Sequence, residues 1–307
     1  MLRKIFLITL LITLMTACAP QATPTVVPTS ATLTLTDGLG RAITLNGPAQ
    51  HVVSLAPSNT EILFAIGAGV QVVGRDQLSD FPEAAKKVTD IGSTFDALNT
   101  EKIVSLKPDL VLAAEINTPE QVKQLEGLGL TVYYLKNPLT LEEMYKNLET
   151  VAQMTGHDQE AATLIESLKA RVAAVDKKIA SISSRPNVFY ELDGTDPAKP
   201  YTAGKGTFIT QLIERAGGHN IAADLDGYPQ MSLEQVVAAD PAFIILGDAR
   251  YGITPESIAQ RPGWKNLTAV KNGKVMPFND DLVSRPGPRL VDALEELAKL
   301  LRPELFP

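Results

Sequence analysis

Two thirteen-residue segments, 133 positions apart, constrain this chain more than any other feature. Residues 101–113 read EKIVSLKPDLVLA and residues 234–246 read EQVVAADPAFIIL. Each opens on a glutamate, has an apolar pair two residues later, carries a proline seven residues after the glutamate, and ends in an apolar run. A residue able to cap a helix, Asn99 or Ser232, stands two positions before each glutamate. The order is therefore cap, short helix, proline break, strand. A chain that does this twice is expected to build two related α/β lobes. A solenoid needs at least three short-period repeats, and none is present.

Between the copies lies one long helical pattern, about residues 158–182. Leu164, Ile165, Leu168, Val172, Val175, Ile179 and Ile182 recur at spacings of three and four. Such a helix spans about 37 Å at 1.5 Å per residue, enough to cross a two-lobed molecule. Residues 34–45 (TLTDGLGRAITL) read as a hairpin turning at Asp37-Gly38 and Gly40. His51–Leu55 reads as a strand, and Ser58-Asn59-Thr60 offers caps for a helix through Ile66 that stops at Gly67 and Gly69. Another strand is expected to begin over Val70–Val73. Strand–helix alternation then continues to residue 135 and resumes after Arg185-Pro186, ending in a helix over Arg289–Leu301. The expected fold is α/β: two Rossmann-like lobes of mostly parallel sheet covered by helices, one on each side of the long helix. The boundaries read as residues 36–157 for the first lobe, 158–183 for the linking helix and 184–307 for the second.

The start of the chain is an address. Residues 1–17 (MLRKIFLITLLITLMTA) pair Arg3 and Lys4 with an apolar run too short to span a ~30 Å hydrocarbon core. That is the layout of a signal peptide, and Cys18, the single cysteine, stands where a lipoprotein peptidase would leave a lipidated N-terminus. Residues 18–35 then read as a lipidated cysteine and a Pro/Thr-rich tether. A lipid-anchored, extracytoplasmic monomer is expected.

Net charge is −7, and about −9 without Arg3 and Lys4, which argues against nucleic-acid binding. One cysteine excludes an intrachain disulfide framework. No P-loop, Gly-x-Ser-x-Gly elbow or His-Glu-x-x-His motif is present, and no ligand cluster for a metal or cofactor stands out. His51, His157 and His219 sit at element ends. Asp280-Asp281 reads as a turn more than as an acid/base pair. An extracytoplasmic hydrolase and an accessory lipoprotein without a small ligand remain as weaker alternatives to a binding protein.

The segments at 52–75, 90–113, 201–218, 231–248, 263–275 and 284–297, placed around the long helix, resemble substrate-binding proteins of ABC importers. The likeness is to the helical-backbone class that takes cobalamin, ferric siderophores or haem. It is strongest to cobalamin binders around Asp80-Phe81-Pro82, Ser93-Thr94-Phe95 and Tyr228-Pro229-Gln230. Leu78 and Ala114 depart from it, standing where an aromatic is often found. The resemblance implies two lobes joined by one rigid helix with a ligand cleft between them, and capture there of a corrinoid, or alternatively a siderophore or haem, for delivery to a permease driven by an ATPase. It places Phe95, Tyr201 and Tyr228 as cleft aromatics, which bury area at low entropy cost. Arg75, Arg250 and Arg285 are candidates for an anionic ligand. Glu101 and Glu234 would dock into the permease. Trp264 reads as structural packing.

Overall fold

The computed structural model describes residues 32–95 and 97–306. The expected signal peptide, Cys18 and most of the expected tether lie outside the described residues.

Strands β1 (Leu33–Thr36) and β2 (Ala42–Leu45) form the antiparallel hairpin, with Leu33 opposite Leu45. Asp37 closes the turn, its Oδ1 accepting the backbone N–H of Leu39 and of Arg41. The strand starts at Leu33, two residues before the expected end of the tether.

The first lobe continues with β3 (Val52–Ser54), α1 (Pro57–Ala65), β4 (Val72–Arg75), α2 (Thr100–Ser105), β5 (Leu110–Ala114), α3 (Pro119–Gly127), β6 (Val132–Leu135) and α4 (Leu141–Thr155). Its sheet is parallel throughout, in the order β4-β3-β5-β6. Helix α5 (Asp158–Ile179) follows at 22 residues, about 33 Å long. The second lobe holds β7 (Asn187–Glu191), α6 (Phe208–Arg215), β8 (His219–Asn220), α7 (Leu233–Ala239) and β9 (Phe243–Leu246). It ends with α8 (Pro255–Gln260), α9 (Thr268–Lys271), β10 (Val275–Pro277), α10 (Asp281–Ser284) and α11 (Leu290–Leu301). Its sheet is also parallel, in the order β10-β9-β7-β8.

The repeat is visible in the backbone. Asn99 caps α2 by accepting the Lys102 N–H, and Ser232 caps α7 by accepting the Gln235 N–H. Among the described residues, the non-glycine positions with positive φ are Lys107 (50°) and Asp240 (40°), each immediately before the proline of its copy. Asp240 secures its turn by accepting from the N–H and hydroxyl of Thr268 at 2.8 and 2.7 Å.

Two local expectations shift. Helix α1 begins one residue early, with Pro57 in its first turn and no side-chain cap at Ala56. Ser58, Asn59 and Thr60 are buried instead. Asn59 donates to the Leu112 carbonyl at 3.0 Å and Thr60 to the Ser54 hydroxyl at 2.8 Å, tying the helix start to the strand ends beneath it. Residues 68–71 form a 3-10 turn after Gly67 (φ 89°), so β4 starts only at Val72.

Leu168, Val172, Val175 and Ile179 of α5 enter a core that also includes Leu148 and Val151 of α4 and Leu294, Leu297 and Leu301 of α11. One apolar stripe on the linking helix thus packs against helices of both lobes. Arg171, flanking that stripe, pairs with Asp292 and Glu295 of α11 at 2.6 and 2.7 Å. Trp264 is fully buried, 5.9 Å from the Phe189 ring, with its Nε1–H donated to the Pro197 carbonyl.

Candidate ligand-binding cleft

Because both sheets are parallel, the loops leaving the strands' carboxyl ends gather on one edge of each lobe. Open α/β sheets bind ligands at such edges. In the first lobe, Thr94 donates to the Leu55 carbonyl just beyond β3, at 2.9 Å. That anchor holds Phe95 with 60% of its surface exposed. The loop after β4 presents Leu78 and Phe81, both about 44% exposed. In the second lobe, the Tyr201 N–H donates to the Asp193 carbonyl at 2.9 Å, fixing the loop after β7. Tyr201, Tyr228 and Tyr251 are all exposed, Tyr251 on the loop after β9. A recess of about 370 Å³ is lined there by Leu192, Asp193, Thr195, Asp248, Tyr251 and Ile253. A larger recess of about 540 Å³, around Phe64, Gly67, Val70 and Thr89, contains none of the expected residues.

The lobes meet through charge. Glu61 of α1 is buried and accepts from Arg289 at 2.5 and 2.8 Å and from Arg285 at 3.2 Å, both from the second lobe. Arg285 also reaches Asp80 at 2.6 Å and Asp281 at 3.2 Å. Asp281 in turn accepts from Arg250 at 2.6 Å. The Arg289 guanidinium lies 4.1 Å over the Phe81 ring, and Arg250 lies 5.6 Å from the Tyr251 ring centre. Three arginines and three carboxylates thus form one neutral network with aromatics at either end. The arginine beside Asp80 holds its carboxyl below the ordinary range against the opposing effect of burial.

The arginines expected to receive an anion are therefore engaged by the protein itself. Arg75 is buried, donating to the carbonyls of Ala85 and Asp76 at 3.2 and 2.9 Å, with Asp90 at 3.5 Å. Arg285 is buried in the network, and half-exposed Arg250 is paired with Asp281. Ala114 is buried at the end of β5 and presents no cleft surface. Asp280 and Asp281 point to different partners: Asp280 accepts from the Tyr190 hydroxyl at 2.8 Å, and burial raises its carboxyl.

A second buried cluster supports the loops after β7 and β9. Glu191, the last residue of β7, takes a two-pronged ion pair from Arg261 at 2.5 and 2.9 Å. Asp248, just past β9, lies beside Glu191 and anchors the Gly194 N–H at 2.8 Å. A Cβ at Gly194 would run into the ion pair itself. Desolvation pushes Glu191 up to about 7, opposed by Arg261 and reinforced by Asp248. Asp248 Oδ1 has no hydrogen-bond donor within reach.

Glu101 and Glu234 are exposed in the first turns of α2 and α7, one on each lobe. Phe81, Tyr251 and Arg289 escaped the sequence reading. Phe81 and Arg289 sit inside segments that carry the resemblance, but nothing in their spacing marks them as exposed or as paired.

Among the described residues no helix is long and apolar enough to cross a membrane, and no group of three or more His, Cys, Asp or Glu side chains is arranged to hold a metal. The chain is 36% identical over 279 residues to an uncharacterised ABC transporter substrate-binding lipoprotein, YvrC, of Bacillus subtilis, covering 89% of this chain and 87% of that one. It is 34% identical over 255 residues to a vitamin B12-binding protein of Salmonella typhimurium, covering 82% and 90%. Its fold superposes with a TM-score of 0.74 on the periplasmic haem-binding protein RhuT of Roseiflexus, at 30% identity over 84% of this chain and 99% of that one. The sequence model of the periplasmic binding protein family matches residues 52–282, and the chain belongs to that family.

Proposed function

We propose that this protein is the extracytoplasmic substrate-binding lipoprotein of an ABC importer, and that it holds a corrinoid between its lobes without turning it over. The observation that carries the ligand reading is the pairing of exposed aromatics on both carboxyl edges with a charge-balanced network between them. Phe95 and Phe81 on one side, and Tyr201, Tyr228 and Tyr251 on the other, offer flat surface to a large macrocycle. The paired arginines leave little positive charge for an anion. The B12-binding relative supports this reading. Haem is the second reading, supported by the haem-binding neighbour and by the exposed tyrosines. Desolvation and the nearby Asp280 carboxylate raise the Tyr228 phenol, however, which keeps it neutral and makes it a poorer iron ligand.

Calorimetric titration with cyanocobalamin, dicyanocobinamide, haem and ferric siderophores tests the proposal. Corrinoid binding at micromolar affinity or tighter is expected, and tight binding of an anionic ferric chelate alone would contradict it.

Glu101 and Glu234 are the proposed permease contacts. The double variant Glu101→Ala/Glu234→Ala should bind ligand normally while uptake falls, and undiminished uptake would remove the assignment. Cys18 is the proposed lipid anchor, supported by the lipoprotein relative. A Cys18→Ser protein that still sediments with membranes would count against it.

A further inference from the structure

The cleft arginines pose a question that the importer role does not answer. A site for a macrocycle with several neutral side groups has no need of Arg250, Arg285 and Arg289 as ligand contacts, yet Arg289 lies against the exposed Phe81, Arg250 beside the exposed Tyr251, and Arg285 joins the same network. Each is matched to a carboxylate: Arg289 to Glu61, Arg285 to Glu61, Asp80 and Asp281, and Arg250 to Asp281. Two of those carboxylates flank the network: Asp80 lies on the loop after β4, and Asp281 opens α10 just past β10. Asp281 reaches two arginines at once, and one of them, Arg250, is half-exposed beside Tyr251.

We infer that Asp281, assisted by Asp80, determines specificity by occupying the cleft arginines, so that the cleft rejects ligands carrying carboxylates and accepts neutral ones of the same shape. This rests on the reading that the inter-lobe cleft is the ligand site. The physics is one of substitution. An incoming carboxylate must displace one that is already seated on the guanidinium, and the displaced group stays nearby as a like charge. A neutral amide or ester faces no such repulsion. Selectivity of this kind comes from the penalty placed on the wrong ligand.

Haem and its dimethyl ester separate charge from shape, because they share a macrocycle and differ in two carboxylates. Binding of both, and of cyanocobalamin, is measured for the wild type and for the D281N and D80N variants at two salt concentrations. The wild type should bind the ester at least as well as the diacid. D281N, which frees Arg250, should tighten diacid binding by roughly tenfold at low salt while leaving the ester unchanged. D80N should act in the same direction and more weakly, since Arg285 remains buried, and it carries the test if D281N does not fold. A wild type that prefers the diacid, or variants with an unchanged diacid-to-ester ratio, would overturn the inference. Failure of cyanocobalamin to bind would instead sink the corrinoid reading, leaving the ratio to decide the matter of charge.

Discussion

Two guanidinium–carboxylate clusters in this molecule, one partly and one fully buried, are built to different ratios. Between the lobes, three arginines meet three carboxylates, and Glu61 accepts from two guanidiniums at once. Inside the second lobe, one arginine serves two carboxylates, Glu191 and Asp248, and Glu191 rises to about 7. Balance decides the behaviour. The interlobe network is complete without a proton, whereas the intralobe cluster must take one up or bury an excess negative charge. The first cluster fixes how the lobes face each other. The second fixes the loops after β7 and β9 and ties their geometry to pH.

The largest effect should come from breaking the balanced network. Glu61→Ala leaves Arg285 and Arg289 without their buried partner, which is expected to destabilise the protein by about 3–5 kcal/mol. At about 2–4 °C per kcal/mol, the melting temperature should fall by roughly 10 °C. A change within 2 °C, on the order of 1 kcal/mol by the same scaling, would show that the network contributes little. The unbalanced cluster should give a smaller effect that depends on pH. The folded value of Glu191 lies above its ordinary value of 4.5, so the folded protein holds a proton that the unfolded chain releases. Its contribution is fully present below about pH 4.5 and is lost as pH rises through about 7. The loss is on the order of 3 kcal/mol from the size of the shift. Glu191→Gln removes the titrating group and keeps one acceptor for Arg261, at the loss of the other prong. Urea unfolding from pH 4.5 to 8 should show a flatter stability profile for this variant. An unchanged pH slope would mean that Glu191 does not carry the proton.

The contrast also marks what the sequence makes legible. Repeat, helix and strand order follow from local periodicity, caps and prolines. That is why Asn99, Ser232 and the stripe on α5 sit where their spacing puts them. Trp264 was legible as packing for the same reason. The aromatics Phe95, Tyr201 and Tyr228 are exposed on the cleft loops, but only a family resemblance singled them out, since exposure is not written in spacing. Charge pairing was the least visible. Glu61 and Arg289 lie 228 residues apart, and no local pattern announces that an arginine will be occupied by the protein before any ligand arrives. The same long-range pairing drew Arg285 into the interior, whereas Arg75 is held there by partners within fifteen residues. Ser58, Asn59 and Thr60 looked like caps, but Pro57 had already started the helix, leaving Asn59 and Thr60 to bond to strand ends.

We propose that one ligand is held by both lobes at once. The most direct measurement is a calorimetric titration of cyanocobalamin into wild type, Phe95→Ala, Tyr228→Ala and the double variant. Each single change should weaken binding by roughly tenfold, consistent with about 1–2 kcal/mol for a lost aromatic contact, and the double variant should lose more than either. Full affinity after removal of either ring would place the ligand on one lobe alone and contradict the account.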